Sequence, residues 1–202
     1  MSRKTQLAET VQRYQAALDK HGDSPKSLLW NSKNSAEIRY YNLIADIDFE
    51  GKSILDIGCG MGNIIPYIEK QTKNFTYTGI DLLPEFVEKA QEKYPQHTFL
   101  AGDYMQLMHP ADIVMCSGAL NSNIPNVVEE RKEAVGMMFD YANEVLAFNM
   151  AGGHPQPKNY DSYIVHYIDS LPFIKFLFTL TSKVIIRHHY TPKDFTAILF
   201  KI

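Results

Sequence analysis

The chain has 202 residues, a formal net charge of -3, 45% hydrophobic residues and 21% charged residues. These values are typical of a globular domain that is long enough to bury a full core. The slightly acidic balance argues against an extended nucleic-acid-binding surface, so no nucleic-acid partner is expected. No uncharged apolar run reaches the roughly 18 residues of a membrane-spanning helix, so no membrane span is expected.

The amino-terminal residues and the two cysteines together predict a cytoplasmic protein. Met1–Lys4 is followed by polar residues and not by the apolar stretch of a secretory signal. Cys59 and Cys116 each lie in an apolar, strand-like setting. We therefore expect two buried free thiols in a reducing compartment. The sequence leaves the choice between a monomer and a homodimer open.

The first 50 residues have the apolar spacing of two helices. One helix is predicted over Thr5–Lys20 and a second over Ser35–Ile47. The segment between them contains a helix-breaking Gly-Asp-Ser-Pro run and the only tryptophan, Trp30. We interpret residues 1–50 as a helical extension that precedes the main domain.

From residue 51 onward, short apolar strands alternate with helices. The predicted strands are Ser53–Ile57, Phe75–Ile80, His97–Leu100, Ala111–Cys116 and Glu144–Phe148, and the predicted helices between them are Asn63–Lys70, Leu83–Tyr94 and Glu129–Tyr141. This alternation predicts a doubly wound parallel sheet with helices on both faces. A helix is then predicted over Tyr160–Leu171. Two closing strands, Lys183–His189 and Phe195–Lys201, are joined by a turn so short that they can pair only antiparallel.

The predicted fold is therefore α/β. It is a three-layer, doubly wound and mostly parallel sheet of seven strands, which ends in a carboxy-terminal antiparallel hairpin. We assign this domain to residues 51–202.

A strand that runs directly into a glycine-rich turn is the most informative local feature. Residues 54–63 read ILDIGCGMGN, with glycines at 58, 60 and 62. Glycine takes positive φ without cost and lets the backbone approach a ligand closely. A helix starting near Asn63 would direct its free N–H groups at this turn. Such a turn is typical of a site for the polar part of a nucleotide-like ligand.

The spacing of these glycines argues against a dinucleotide. The dinucleotide fingerprint is G-x-G-x-x-G, and the position of its third glycine is occupied here by Asn63. The chain also lacks the Gly-Lys-Ser/Thr ending of a phosphate-binding loop. The turn therefore suits a nucleoside with a zwitterionic tail better than a ligand with phosphates.

Aspartates mark three of the predicted strands near the sheet edge where open parallel sheets bind ligands. Asp81 can accept hydrogen bonds from two ribose hydroxyls, or alternatively cap the following helix. Asp103 can accept a bond from an adenine amino group, or serve as an ordinary turn aspartate. Asp56 lies inside the first strand, where an unpartnered carboxylate is costly. It either holds loop amides, meets a ligand ammonium through water, or has a purely structural role.

Four segments of the chain resemble the motifs of class I S-adenosylmethionine-dependent methyltransferases. They are residues 55–63, LDIGCGMGN, for the first motif; 79–85, GIDLLPE, for the acidic ribose motif; 102–104, GDY, for the adenine motif; and 111–121, ADIVMCSGALN, for the fourth motif. In that family the methyl donor and acceptor meet at the fourth motif. The match covers about residues 52–202, and it implies S-adenosylmethionine as the cofactor and S-adenosylhomocysteine as the product.

Helices that precede the core fold cover the cofactor cleft as a lid in similar methyltransferases. Trp30 can supply aromatic cover there, and Arg39 can pair with the cofactor carboxylate. The alternative is that Trp30 packs the helices and Arg39 forms a surface ion pair. The cofactor-binding residues that we predict are Trp30, Arg39, Asp56, Gly58, Cys59, Gly60, Asn63, Asp81, Leu82, Gly102, Asp103, Tyr104, Ser117 and Gly118.

The acceptor is less well specified than the cofactor. Methyl transfer from a sulfonium is an in-line displacement, so positioning and desolvation can supply most of the rate effect. A base is needed only where the acceptor must lose a proton, and His154 is the candidate that we predict. Residues 117–120, SGAL, lack the Asp/Asn-Pro-Pro-Tyr/Phe pattern of base-directed amino methyltransferases. This argues against a nucleic-acid base as the acceptor, and we predict a small-molecule acceptor. The histidines show no H-E-x-x-H pattern and the two cysteines are far apart in the sequence, so we predict no metal site.

Two alternatives to a small-molecule methyltransferase are kept open. The chain could methylate a protein, which would require an open peptide groove. It could also be a catalytically inactive cofactor-binding protein that kept the fold.

Overall fold

The computed structural model describes residues 3–30, 32–158 and 164–202. The helices are α1 (Arg3–His21), α2 (Lys33–Ile44), α3 (Ile65–Ile68), α4 (Pro84–Lys93), α5 (Tyr104–Leu107), α6 (Val127–Tyr141) and α7 (Ser170–Leu180), with short 3-10 helices at Pro25–Leu28 and Ala119–Asn121. The strands are β1 (Lys52–Ile57), β2 (Phe75–Asp81), β3 (Thr98–Ala101), β4 (Ala111–Ser117), β5 (Ala142–Gly153), β6 (Ile168–Asp169), β7 (Val184–Arg187) and β8 (Asp194–Phe200).

Seven strands form one sheet in the order β3-β2-β1-β4-β5-β8-β7, and the two-residue β6 pairs with the end of β5. The first five strands pair in parallel, whereas β8 is antiparallel to both β5 and β7. The predicted α/β fold, with a mostly parallel sheet and antiparallel closing strands, is confirmed. Strand order reverses between β1 and β4, and the carboxyl ends of parallel strands beside such a reversal are where ligands bind.

Both faces of the sheet are covered by helices, and each face has its own apolar core. Successive residues of a strand point to opposite faces, and β1 shows this with Leu55 and Ile54, which are 0% and 2% exposed. Leu55 belongs to the core that contains Val135 of α6 and Phe173 of α7. Ile54 belongs to the core that contains Leu43 of α2. Burial on both faces explains why these strands are almost continuously apolar.

The amino-terminal helices pack against the segments that follow β1 and β2. Leu18 of α1 forms a small apolar cluster with Met61, Leu83 and Phe86. Met61 lies in the glycine turn after β1, and Leu83 and Phe86 follow β2. The extension therefore lies over the end of the sheet where these two strands finish.

The helix predicted after the glycine turn is much shorter in the structure. Only α3, a single turn containing Pro66, is helical, whereas the expectation was Asn63–Lys70. The Gly62 N–H donates to the Cys59 carbonyl at 3.0 Å, so turns and not a helix follow β1 directly. A single helical turn has only a small dipole, so α3 does not supply the positive helix end that was expected at the glycine turn.

The helix predicted over Tyr160–Leu171 is wrong over residues 164–169. Residues 164–169 are not helical, and the helix is α7; residues 159–163 lie outside the described residues. The Asp169 carboxylate accepts the N–H of Leu171 at 3.0 Å and caps α7. This cap fixes where the helix begins.

Both cysteines are buried and free, as predicted. Burial raises the pKa of the Cys116 thiol to about 12, so it stays protonated at neutral pH. Among the described residues, no helix has the length and apolar character that crossing a bilayer demands.

Candidate functional site

A cavity of about 420 Å³ lies where β1, β2 and β4 end, a volume typical of small-molecule sites. It gathers most of the predicted cofactor-binding residues. Those in its lining are Trp30, Arg39, Asp56, Gly58, Cys59, Gly60, Asp81, Leu82, Gly102, Tyr104, Ser117 and Gly118. The motifs that are scattered along the sequence therefore converge on one space.

The glycine turn after β1 depends on the absence of side chains. Gly58 and Gly60 have φ of 73° and 54°, a region that L-residues with side chains rarely adopt. A Cβ on Gly58 would stand 2.4 Å from Cβ of Ala119, and one on Gly60 would stand 2.7 Å from Leu28. The backbone of the turn can therefore adopt this conformation beneath the amino-terminal segment only with glycine at both positions.

Asp81 connects the turns that follow β1 and β2. Its carboxylate accepts the N–H of Gly60 at 2.8 Å and the N–H of Leu83 at 3.0 Å, each on a different oxygen. Burial raises the pKa of this carboxyl, and the backbone hydrogen bonds oppose that rise. A carboxylate has about four acceptor positions. Each oxygen can therefore accept a further donor from a ligand in the cavity.

Asp56 is a buried carboxyl group of the cavity lining, with 3% of its surface exposed. The Tyr77 hydroxyl donates to its Oδ2 at 2.6 Å. Burial raises the pKa of Asp56 to about 7, although the hydrogen bond from Tyr77 lowers it. The group is therefore balanced between its neutral and charged forms near neutral pH, and a nearby cation would favour the carboxylate.

Comparison with known proteins supports the resemblance. A family model described as a methyltransferase domain matches residues 54–147, which are 94 of the 202 residues of the chain. The matched residues run from β1 into β5 and include the glycine turn, Asp81 and the end of β4. The family resemblance of the motifs is thereby confirmed, and the subgroup is not specified.

Two curated relatives and one solved structure illustrate the likeness. Trans-aconitate 2-methyltransferase of Rhodopseudomonas palustris (strain BisB18) is 25% identical over 120 residues, which are 58% of this chain and 46% of the relative. Fatty-acid O-methyltransferase of Mycolicibacterium smegmatis (strain ATCC 700084 / mc(2)155) is 32% identical over 73 residues, which are 35% of this chain and 27% of the relative. The chain therefore spans less than half the length of these curated relatives.

The solved structure is the plantazolicin methyltransferase BamL in complex with a triazolic desmethylPZN analog and SAH. It superposes with a TM-score of 0.62 at 13% identity, and 99% of each chain is covered. At this identity the likeness shows the shared fold.

Trp30 and Arg39 lie together near the end of β4. The Arg39 guanidinium lies 4.7 Å from the centroid of the Trp30 ring and forms an ion pair with Asp194. A Cβ on Gly118 would stand 2.9 Å from the Trp30 ring, so the indole rests on the fourth motif. Asp194 was missed by sequence reasoning because only the placement of β8 beside β5 brings it to the cavity.

Residues of α1 also line the cavity, and sequence reasoning missed most of them. They are Thr10, Val11, Arg13 and Tyr14. The Tyr14 ring packs edge-on against Phe86 with centroids 6.0 Å apart. Burial raises the pKa of Tyr14 to about 12, so its hydroxyl is neutral. The apolar spacing over Thr5–Lys20 was the available signal, but it did not reveal which residues face the cleft.

A second wall is built from two paired segments. The N–H of Asn123 donates to the Ile164 carbonyl at 2.9 Å, and the N–H of His166 donates to the Asn121 carbonyl at 3.0 Å. Arg131 of α6, only 2% exposed, donates to the His166 carbonyl at 2.8 Å. It also donates to the Ala151 carbonyl at 3.3 Å. Arg131 therefore joins β5 to this wall of the cavity.

Three predicted site residues lie outside the cavity lining. Asn63 lines a separate cavity of about 450 Å³. Asp103 caps α5 by accepting the N–H of Met105 at 3.0 Å. His154 is exposed, and its Nδ1 lies 3.0 Å from Oδ1 of Asp169. None of the three lines the cavity of about 420 Å³, and their functional roles stay predictions. Within the described ranges, no group of three His, Cys, Asp or Glu side chains could hold a metal.

Proposed function

We propose that this chain binds S-adenosylmethionine and transfers its methyl group to a small-molecule acceptor. The observation that carries the proposal is the convergence of the glycine turn, Asp81, Asp56 and the end of β4 on one cavity. The cofactor supplies an electrophilic sulfonium methyl, and S-adenosylhomocysteine is the product.

The residues of the cavity fit this cofactor. Asp81 keeps acceptor positions for the two ribose hydroxyls while it holds the Gly60 and Leu83 amides. Asp56, with its raised pKa, can take its charged form beside an ammonium group. The Arg39 Nε is buried and has no hydrogen-bond partner among the described residues. Arg39 also lines the cavity, and we assign its guanidinium as the partner of the cofactor carboxylate.

The residues around the end of β4 position the reactants and exclude water. Trp30 rests on Gly118, and α1 closes the space above Asp81 through Tyr14. A dry, closed space strengthens electrostatic interactions and holds reacting atoms at short distance. We assign residues 1–50 the role of a lid over the main domain. Most of the rate effect then comes from proximity.

A small acceptor is supported by size and by the relatives. The cavity of about 420 Å³ would hold the cofactor and the acceptor together, which leaves room for a small molecule and not for a protein segment. The names of the two curated relatives specify trans-aconitate and a fatty acid, which are small organic molecules. The two free thiols also favour a reducing compartment such as the cytoplasm.

Titration calorimetry with S-adenosylmethionine and S-adenosylhomocysteine tests the proposal. We expect one molecule of either ligand to bind per chain. A separate assay with methyl-labelled cofactor and a panel of small acceptors measures whether the label is transferred. Absence of binding to both ligands at millimolar concentration would overturn the proposed function.

A further inference from the structure

In the part of the chain that the structure describes, every charged side chain of the cavity lining except Arg13 has a hydrogen-bond or ion-pair partner. Arg39 is paired with Asp194, and Asp81 accepts two backbone amides. Arg13 lines the cavity beside Tyr14 and is half-buried. Among the described residues, Arg13 forms no ion pair and no hydrogen bond through its guanidinium. The lid therefore brings a guanidinium with free donors to the space above the cofactor site.

We propose that the methyl acceptor is a carboxylic acid, bound as its carboxylate with Arg13 as its partner. This inference rests on the proposed function, because it names the acceptor of the same cavity. A guanidinium matches a carboxylate with two parallel hydrogen bonds. In a partly closed cavity such a pair is stronger than in water.

The charge of the cofactor favours the same acceptor. S-adenosylmethionine carries a sulfonium, an ammonium and a carboxylate, so it adds one net positive charge to the cavity. Arg39 is paired with Asp194, and the Asp56 and Asp81 carboxylates can offset the charge of the cofactor. The Arg13 guanidinium is therefore the positive charge on the lid side that is left without a counter-charge among the described residues. An anionic acceptor neutralises part of this charge, whereas a protonated amine would increase it. The lining therefore discriminates between acceptors by electrostatics as well as by shape.

The reaction is balanced without a base. A lone pair of the carboxylate oxygen forms the O–CH₃ bond while the S–CH₃ bond breaks, and the bonding pair stays on sulfur. The products are a methyl ester and S-adenosylhomocysteine, and no proton is released. Carboxylic acids have pKa values near 4, so the acceptor is already ionised at neutral pH. The position of His154 outside the cavity lining is compatible with this chemistry.

The remaining lining suits the hydrocarbon part of such an acid. Leu29, Trp30, Ile164 and Val165 contribute apolar surface to the cavity. Burial of apolar area against these side chains stabilises a bound acid by about 25 cal/mol per Å². The inferred acceptor is therefore an organic acid with a compact apolar body, and not a highly polar polyol or peptide.

The first experiment identifies the type of bond that forms. The full chain is incubated with methyl-labelled S-adenosylmethionine and with hexanoate or benzoate, each beside its matched amide and alcohol. Methyl esters release labelled methanol at alkaline pH, whereas ethers and N-methyl products do not. We expect methanol release with acids only. Release with none of the acids, or label transfer to the amides or alcohols instead, would overturn the inference.

The second experiment tests Arg13 itself. Arg13→Gln removes the charge, Arg13→Lys keeps a charge without the fork, and Lys20→Gln removes an exposed charge from the same helix. We expect the KM for the acid to rise about tenfold or more in Arg13→Gln and less in Arg13→Lys. The kcat and the affinity for S-adenosylhomocysteine should stay near those of the unaltered chain. Lys20→Gln should match the unaltered chain throughout.

The outcomes separate this inference from the proposed function. If S-adenosylhomocysteine binds and the acid KM of Arg13→Gln equals that of Lys20→Gln, the role of Arg13 is refuted while the methyltransferase remains. If S-adenosylhomocysteine does not bind the unaltered chain, the proposed function itself fails.

Discussion

Truncation of Asp81 separates a binding role from a structural role. Asp81→Ala removes the acceptor of the Gly60 and Leu83 amides. Both amides can regain water in an enlarged cavity, so we expect the free energy of unfolding to fall by about 2 kcal/mol. Loss of the ribose contacts should make the binding free energy of S-adenosylhomocysteine less favourable by about 2 kcal/mol. That change weakens the affinity about 30-fold.

Calorimetry on folded protein measures this affinity, and urea unfolding measures the stability. Asp48→Ala is the matched control, because the exposed Asp48 carboxylate also accepts a backbone amide, that of Glu50, at 3.0 Å. It is not part of the cavity lining, so this variant should bind S-adenosylhomocysteine as the unaltered chain does. Equal affinity in folded Asp81→Ala and Asp48→Ala would refute the ribose assignment.

Three further variants test other parts of the site. Burial raises the pKa of Asp56 to about 7, so the folded chain keeps a proton that the unfolded chain loses near pH 4. The free energy of unfolding should therefore fall by up to about 4 kcal/mol as the pH rises from 4 to 7. In Asp56→Asn this fall should be less steep. Urea unfolding at several pH values in this range measures the difference. Identical pH profiles for the unaltered chain and Asp56→Asn would contradict the raised pKa of Asp56. Gly58→Ala should lower S-adenosylhomocysteine affinity at least about tenfold in calorimetry, because φ is 73° and the new Cβ meets Ala119. Gly136→Ala is the control, because a Cβ at this position of α6 meets open space. It should raise the free energy of unfolding by about 0.5–1 kcal/mol. Equal S-adenosylhomocysteine affinity and equal stability in the two variants would refute the turn geometry. Arg131→Met should lower the free energy of unfolding, measured in urea, by about 2–3 kcal/mol, since the carbonyls of Ala151 and His166 lose their donor. A change below about 0.5 kcal/mol would show that the second wall of the cavity does not depend on Arg131.

The parts of the fold that could be predicted are those encoded by local patterns. Ile54, Leu55 and Ile57 are apolar on both faces of β1, which identifies a central parallel strand. Gly58 and Gly60 follow because the turn demands positive φ. The ends of neighbouring parallel strands must meet at one edge of the sheet, so Asp81 and Ser117 could be placed in one cavity before their contacts were known.

The parts that could not be predicted depend on distant contacts. Asp194 reaches the cavity only because β8 inserts between β5 and β7, and no pattern around it indicates a site. Arg13 lies on a helix whose apolar spacing indicates packing but not the element it packs against. The start of α7 was misplaced because the polar cap Asp169 was read as part of an earlier helix. The carboxylate partner of His154 was hidden for the same reason.

A crystal structure of the full chain with bound S-adenosylhomocysteine tests the cofactor site most directly. We expect both ribose hydroxyls within hydrogen-bonding distance of the Asp81 carboxylate. The ligand sulfur should face Gly118 beneath the Trp30 ring. A ligand bound outside the cavity that Asp81 and Gly118 line, or one whose ribose makes no contact with Asp81, would contradict the proposed function.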